Sequence, residues 1–245
     1  MSGTAAVLDR HDTYPTPHDN PVDPHKAAVV EWAFVNCGVR SFVDLGACWG
    51  VNGGYAFHGL SVADIERAVI VDGRVTDITY ERAVVHPQLE LIQGPLGTQE
   101  TADLVGTVDA AIMFDILLHQ VGPNWDEFLA RYAANVDTFI IHNQCWRGPE
   151  TIRFPDFSAE EYIRRVYAHD PSAIAAWYER HDEIDEAQNK PVRDVHNFWQ
   201  WGITAKDLVG TLWDLGFAIE AFENMGAFDP RHDEIEVLSI VARKR

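Results

Sequence analysis

Five short, almost wholly apolar runs limit what this chain can fold into: SFVDL at 41–45, AVIVD at 68–72, LELIQ at 89–93, DAAIMF at 109–114 and DTFIIH at 137–142. A strand that is apolar on both faces must be covered on both faces, which is the mark of a parallel sheet between layers of helices. Stretches with helical spacing fall between most of the runs, near 53–58, 98–105 and 125–134, while 76–84 fits neither period cleanly. The expected fold class is therefore α/β, a Rossmann-like doubly wound sheet with right-handed crossovers, and 245 residues suit one such unit. Ligands of such sheets bind beyond the carboxyl ends of the strands, so the residues just after each run carry the functional information.

The remaining segments fit around this frame. Residues 8–25 hold four prolines and three histidines, which predicts an irregular N-terminal arm over 1–25. Val29, Val30, Trp32, Ala33 and Phe34 suit a helix from Lys26 to Asn36, with Gly38 as its stop. The domain is expected to run from 26 to 245. Within it, 147–203 breaks the alternation with two capped helices and a loop rich in His, Asn and Trp, and is expected to be an insertion between the fifth and sixth strands that covers the site. After it come a helix ending at Gly216 and two strands, FAIEAFEN and EIEVLSIVARK, joined by the loop GAFDPRHD. An antiparallel C-terminal strand then completes a mostly parallel sheet.

A formal net charge of −19 repels phosphate backbones and lipid headgroups. The basic residues do not form a compensating patch, because Arg164 with Arg165 and the terminal ArgLysArg suit a helix face and a tail. A nucleic-acid or membrane partner is not expected, a small-molecule partner is, and a homodimer is left open. No apolar run approaches the roughly 18 residues needed to cross a bilayer. The N-terminus lacks a secretory plan, and Cys37, Cys48 and Cys145 lie far apart with no CxxC pair, so a reduced cytoplasmic setting is expected.

The glycines after the first run identify the ligand class. A dinucleotide fingerprint needs G-x-G-x-x-G, and a phosphate loop needs a lysine after its glycines. Gly46, Gly50, Gly53 and Gly54 supply neither. The segment Asp44, Leu45, Gly46, Ala47, Cys48, Trp49, Gly50 instead resembles the first motif of class I S-adenosylmethionine-dependent methyltransferases, with Cys48 in place of the usual central glycine. The resemblance covers about 26–145 and 204–243. It implies that Asp44, Gly46, Ala47 and Gly50 bind the cofactor, that Asp72 and Gly73 meet its ribose, that Gln93 and Gly94 lie beside its adenine, and that Asp115 closes the site after the fourth strand. A sulfonium cation also suits carboxylates and aromatic faces, for which Trp49 and Tyr55 are candidates.

Methyl transfer to an alcohol needs a base or a divalent cation to help remove the proton. Asp115 with His119 and Gln120 follows the fourth run, and His142, Asn143 and Gln144 end the fifth. The stretch IIHNQCW resembles the acid-asparagine-x-x-tryptophan segment of metal-dependent catechol and caffeoyl O-methyltransferases, and magnesium-using macrolide sugar O-methyltransferases place carboxylates comparably. That resemblance implies a Mg2+ site of Asp115, His142 and Asn143, although imidazole is a poor magnesium ligand. The second reading needs no metal and uses His142 or His119 as the catalytic base. The polar and aromatic rim suits a sugar or polyol acceptor. His196, Asn197, Trp199 and Trp201 are candidates to close over it. His181, Asp182, Glu183 and Asp185 have the look of a metal cluster but read better as a solvated helix face. The rivals are a small-amine N-methyltransferase, a cofactor-binding module without turnover and, last, an NAD-dependent oxidoreductase.

Overall fold

The computed structural model describes residues 20–166, 169–186, 189–195, 197–230 and 232–245. The arm up to residue 19 and His196 lie outside them. Seven strands form the main sheet: β1 (Ser41–Leu45), β2 (Arg67–Asp72), β3 (Leu89–Gln93), β4 (Val108–Phe114), β5 (Val136–Trp146), β6 (Phe217–Asp229) and β7 (His232–Lys244). Their order across the sheet is β6-β7-β5-β4-β1-β2-β3. All neighbours from β3 to β5 pair parallel, and β7 runs antiparallel to both β5 and β6. The expected Rossmann-like sheet with its antiparallel C-terminal strand is therefore present.

Among the described residues eight α-helices accompany it: α1 (Pro24–Cys37), α2 (Gly54–Val62), α3 (Asp77–Ala83), α4 (Gln99–Val105), α5 (Trp125–Ala133), α6 (Ala159–Arg165), α7 (Pro171–Tyr178) and α8 (Ala205–Asp214). The ambiguous 76–84 stretch is α3, started by the Thr76 hydroxyl, which accepts from the Thr79 amide. Strand alternation sorts the core into two layers. Phe42, Ile70, Ile112 and Ile140 meet Val30, Phe34 and Ala56 of α1 and α2. Val43, Val69, Met113 and Ile141 meet Ala102, Phe128, Leu129 and Leu208 of α4, α5 and α8.

Two boundaries differ from the sequence reading. Helix α1 begins at Pro24 rather than Lys26, because the Asp23 carboxylate caps it by accepting the amides of His25 and Lys26, with Pro24 in the first turn. Residues 20–22 also belong to the fold. The Asn20 amide donates to the Gly50 carbonyl, and Val22 packs where a side chain on Gly54 would collide with it. At the other end, most of GAFDPRHD is strand, with Gly226, Ala227 and Asp229 paired to Val237, Glu236 and His232. Three register shifts along the β6–β7 ribbon hid this, since each breaks the alternation that marks a strand.

The insertion has a small core of its own, with Phe154, Tyr162, Ile174, Trp177 and Trp199 packed on Leu118, Trp146 and Ile235 of the main fold. It is stitched to the carboxyl end of the sheet by backbone hydrogen bonds from Gln200 to Leu118 and from Trp146 to Ile203. Arg147 and Arg165 pair with Glu236 and Glu234 of β7. Among the described residues no helix is long and apolar enough to cross a membrane.

Replacing Asp23 with Ala removes the α1 cap at the point where the chain enters the fold. Chemical denaturation is expected to show a loss of about 1 kcal/mol, read in a thermal melt as a fall of roughly 2–4 °C.

Candidate functional site

The turn after β1 is built around glycine backbone geometry. Gly46 has φ +74° and donates its amide to the Val71 carbonyl, and a side chain there would strike Ile116 at 2.7 Å. Next to it the Cys48 amide donates to one oxygen of Asp72, and the Arg74 amide donates to the other, each at 2.8 Å. Asp72 thus clamps the loops after β1 and β2 together. The Asp72 carbonyl accepts from Gly94, and the Gln93 side-chain oxygen accepts from Val75, which ties in the end of β3. Gly46, Ala47, Gly50, Asp72, Gly73, Gln93 and Gly94 accordingly sit along one edge, at the ends of three adjacent parallel strands.

Asp44 lies beneath this edge and is 2% exposed. Its carboxylate accepts from the Ala56 amide in the first turn of α2, while Oδ2 is buried with no partner among the described residues. Burial, reinforced by the neighbouring Asp72, pushes Asp44 up to about 7 against the opposing pull of the Ala56 amide. Burial also raises Asp72, against its two backbone amides. Two buried carboxylates, one with an oxygen left without a partner, make this edge electrostatically suited to a cationic ligand.

Beyond β4 and β5 the rim is polar. Asp115 has φ +56°, a conformation that aspartate tolerates better than most residues, and its amide donates to the His142 carbonyl at 2.7 Å. Its carboxylate pairs with the Lys26 ammonium and accepts from the Gln144 side-chain Nε2 at 2.9 Å. Lys26 also lies over the rings of Tyr55 and Phe114, at 5.9 and 5.8 Å. His142 is 6% exposed, and its Nδ1 is 2.9 Å from the Ser239 hydroxyl, which is 2.9 Å from His25 Nε2. Burial brings His142 down to about 4, with Asp115 opposing and Lys26 and His25 adding to the effect, so the ring is neutral at pH 7.

Several expected assignments are corrected. Asn143 does not join Asp115 and His142, because successive residues of a strand face opposite sides. His142 lies against Phe114 on the α1 face, whereas the neighbouring Ile141 and Cys145 belong to the opposite core layer. Lys26 already supplies a cation to Asp115, and among the described residues no group of three or more His, Cys, Asp or Glu converges. These side chains do not fit a magnesium ion. His119 sits in a short 3-10 turn (Leu117–His119), where Nδ1 meets the Phe198 carbonyl at 3.0 Å, and so it holds the insertion. Trp199 is buried in the insertion core, and Trp201 donates to the Gln120 carbonyl. The 181–185 run is a turn and a short hairpin rather than a helix face, with His181 against Trp177 and Tyr178 and Asp185 paired in strand register with Lys190. Trp49 is 58% exposed, whereas the Tyr55 hydroxyl accepts from the Asp23 amide.

Sequence reasoning missed His25, Lys26 and Ser239. A signal existed for Ser239, the single hydroxyl in the apolar run VLSIVA, which lies directly opposite His142 in the β5–β7 register.

No protein-family model and no curated protein matches the chain. Solved structures do match its fold. The N-terminal domain of EvdMO1, solved in the presence of SAH and D-fucose, is 16% identical with a TM-score of 0.57, over 91% of this chain and 85% of that one. The Burkholderia thailandensis 1,6-didemethyltoxoflavin-N1-methyltransferase, with 1,6-didemethyltoxoflavin and S-adenosylhomocysteine bound, is 16% identical with a TM-score of 0.56, over 90% and 78%. The magnesium protoporphyrin IX methyltransferase of Synechocystis PCC 6803, with SAH bound, is 14% identical with a TM-score of 0.54, over 93% and 90%. The fold is that of the class I S-adenosylmethionine-dependent methyltransferases.

The buried position of Asp44 has a pH signature. A carboxyl raised from 3.8 to about 7 stays protonated in the folded chain where the unfolded chain has ionised, so it opposes folding progressively between those values. The Asp44→Asn variant is expected to gain stability relative to the parent as pH rises from about 4 to about 7, with no further gain above. Urea unfolding of both proteins across this range measures the gap, and a gap that does not change with pH would contradict the assignment.

Proposed function

We propose that this chain is an S-adenosylmethionine-dependent O-methyltransferase acting on a hydroxyl of a small polar acceptor, a sugar or polyol, with His142 as the general base and no catalytic metal. The observation that carries the reading is the unpartnered Asp44 oxygen beneath a glycine turn clamped by Asp72, in the fold whose solved examples bind SAH. The residues fit this cofactor. Asp44 and Asp72 offer negative charge to an ammonium or sulfonium, and Asp72 retains acceptor capacity for ribose hydroxyls after taking one amide on each oxygen. Gly73 leaves open space beside it.

When bound, the cofactor supplies a methyl group on a positively charged sulfur. The chain has to orient the acceptor and remove its proton as the oxygen takes the methyl. With Nδ1 engaged by Ser239, Nε2 of His142 is the nitrogen left for the acceptor hydroxyl. Asp115, Lys26 and Gln144 form a hydrogen-bonding set beside it, suited to the neighbouring hydroxyls of a polyol. The acceptor class draws support from this rim and from the D-fucose present with the EvdMO1 domain. The insertion over 147–203, docked at the ends of β4 and β5, is positioned to cover that side.

S-adenosylhomocysteine is expected to raise the melting temperature and NADH to leave it unchanged; the reverse result removes the methyltransferase reading. The His142→Ala variant should lose about a hundredfold or more in turnover while keeping cofactor affinity, measured by calorimetry beside a methyl-transfer assay. Excess EDTA should leave the rate unchanged.

A further inference from the structure

A neutral histidine buried in an apolar setting makes a weak acceptor of protons unless the charge it receives can leave. The structure contains such an exit. His142 Nδ1, the Ser239 hydroxyl and His25 Nε2 form an unbroken file with two spacings of 2.9 Å, drawn from β5, β7 and the first turn of α1. Ser239 is 3% exposed and His142 is buried, whereas His25 is partly exposed and lies 3.8 Å from the Glu223 carboxylate on β6. His25 and Ser239 both line a cavity of about 300 Å³ between α1 and the β6–β7 ribbon, with Trp32, Phe222 and Glu223 also on its wall. The file therefore stays on the α1 face of the sheet and runs from His142 on β5, across β7, to an opening between α1 and the β6–β7 ribbon.

We propose that Ser239 and His25 relay the acceptor proton from His142 to the cavity beneath α1, an inference that rests on the methyltransferase reading. At rest, His142 carries its hydrogen on Nδ1 and donates it to Ser239 Oγ, while Ser239 donates its own to His25 Nε2. As the acceptor oxygen forms its bond to the methyl carbon, the carbon–sulfur bond breaks with its electron pair going to sulfur. The acceptor O–H bond breaks at the same time, and its proton goes to His142 Nε2. His142 then passes its Nδ1 proton to Ser239 Oγ, and Ser239 passes its proton to His25 Nε2. His142 is again neutral, and His25 holds the charge beside Glu223 until water in the cavity removes the proton. Asp115, Lys26 and Asp23 face this path near His142 and at the start of α1, and Glu223 faces it from β6. The relay keeps charge from accumulating on the most deeply buried ring.

Two measurements test this. Long-range proton–nitrogen NMR spectra of the unliganded wild type should show His142 as the Nδ1–H tautomer, and Ser239→Ala should abolish that preference; an Nε2–H tautomer in the wild type overturns the relay whatever the activity. In methyl transfer, Ser239→Ala and His25→Phe should each lower kcat about tenfold or more, with KM and S-adenosylhomocysteine affinity retained. The double variant should be no slower than the slower single one, and Ser239→Thr, which keeps the hydroxyl, should restore most of the rate. Unchanged kcat in both single variants overturns the relay and leaves the proposed activity standing. A wild type that neither binds S-adenosylhomocysteine nor transfers methyl overturns the proposed activity, and the relay with it.

Discussion

Asp44 and Asp72 lie in the last two positions of adjacent parallel strands inside the protein, with no cationic side chain paired to either among the described residues. Backbone amides do what they can: Ala56 serves Asp44, and Cys48 with Arg74 serve Asp72. These bonds do not cancel the cost of burying two like charges, which is why both groups shift upward. A fold keeps such a cost where a ligand relieves it. The cationic nucleoside proposed above suits this electrostatic imbalance.

The other half of the site is balanced differently. At Asp115 the chain brings its own cation, Lys26, from the helix that precedes β1, and sets it over two aromatic rings. Near His142 the polar groups come from both ends of the chain, with His25 and Lys26 at the start and Ser239 at the finish. The rim is assembled by the sheet order, which places late strands beside β4 and β5 and lays α1 across them.

That assembly explains what the sequence made legible. The strand runs are local signals, readable within a few residues, whereas the Thr76 cap, equally local, became legible as the start of α3 only in the structure. The acids and glycines at strand ends were equally readable, because their place follows from the strand boundary. Asn143 misled because it was taken with His142 as one block, when a period of two separates their faces. The contacts His25–Ser239, Lys26–Asp115 and His142–Ser239 join residues 214, 89 and 97 positions apart, and no local pattern carries that information. The β6–β7 ribbon was foreshortened because its bulges imitate a loop.

The length of β7 couples two parts of the molecule that look independent. Its early residues Glu234, Ile235 and Glu236 anchor the insertion, through Arg165, the insertion's apolar core and Arg147 respectively. Three positions past Glu236, about 10 Å along the same strand, Ser239 sets the orientation of the His142 ring. A strand hydrogen-bonded on both sides behaves as a stiff rod, so displacing the inserted segment tugs on the imidazole's hydroxyl anchor. The position of the inserted segment and the orientation of the His142 ring are thereby mechanically geared to one another.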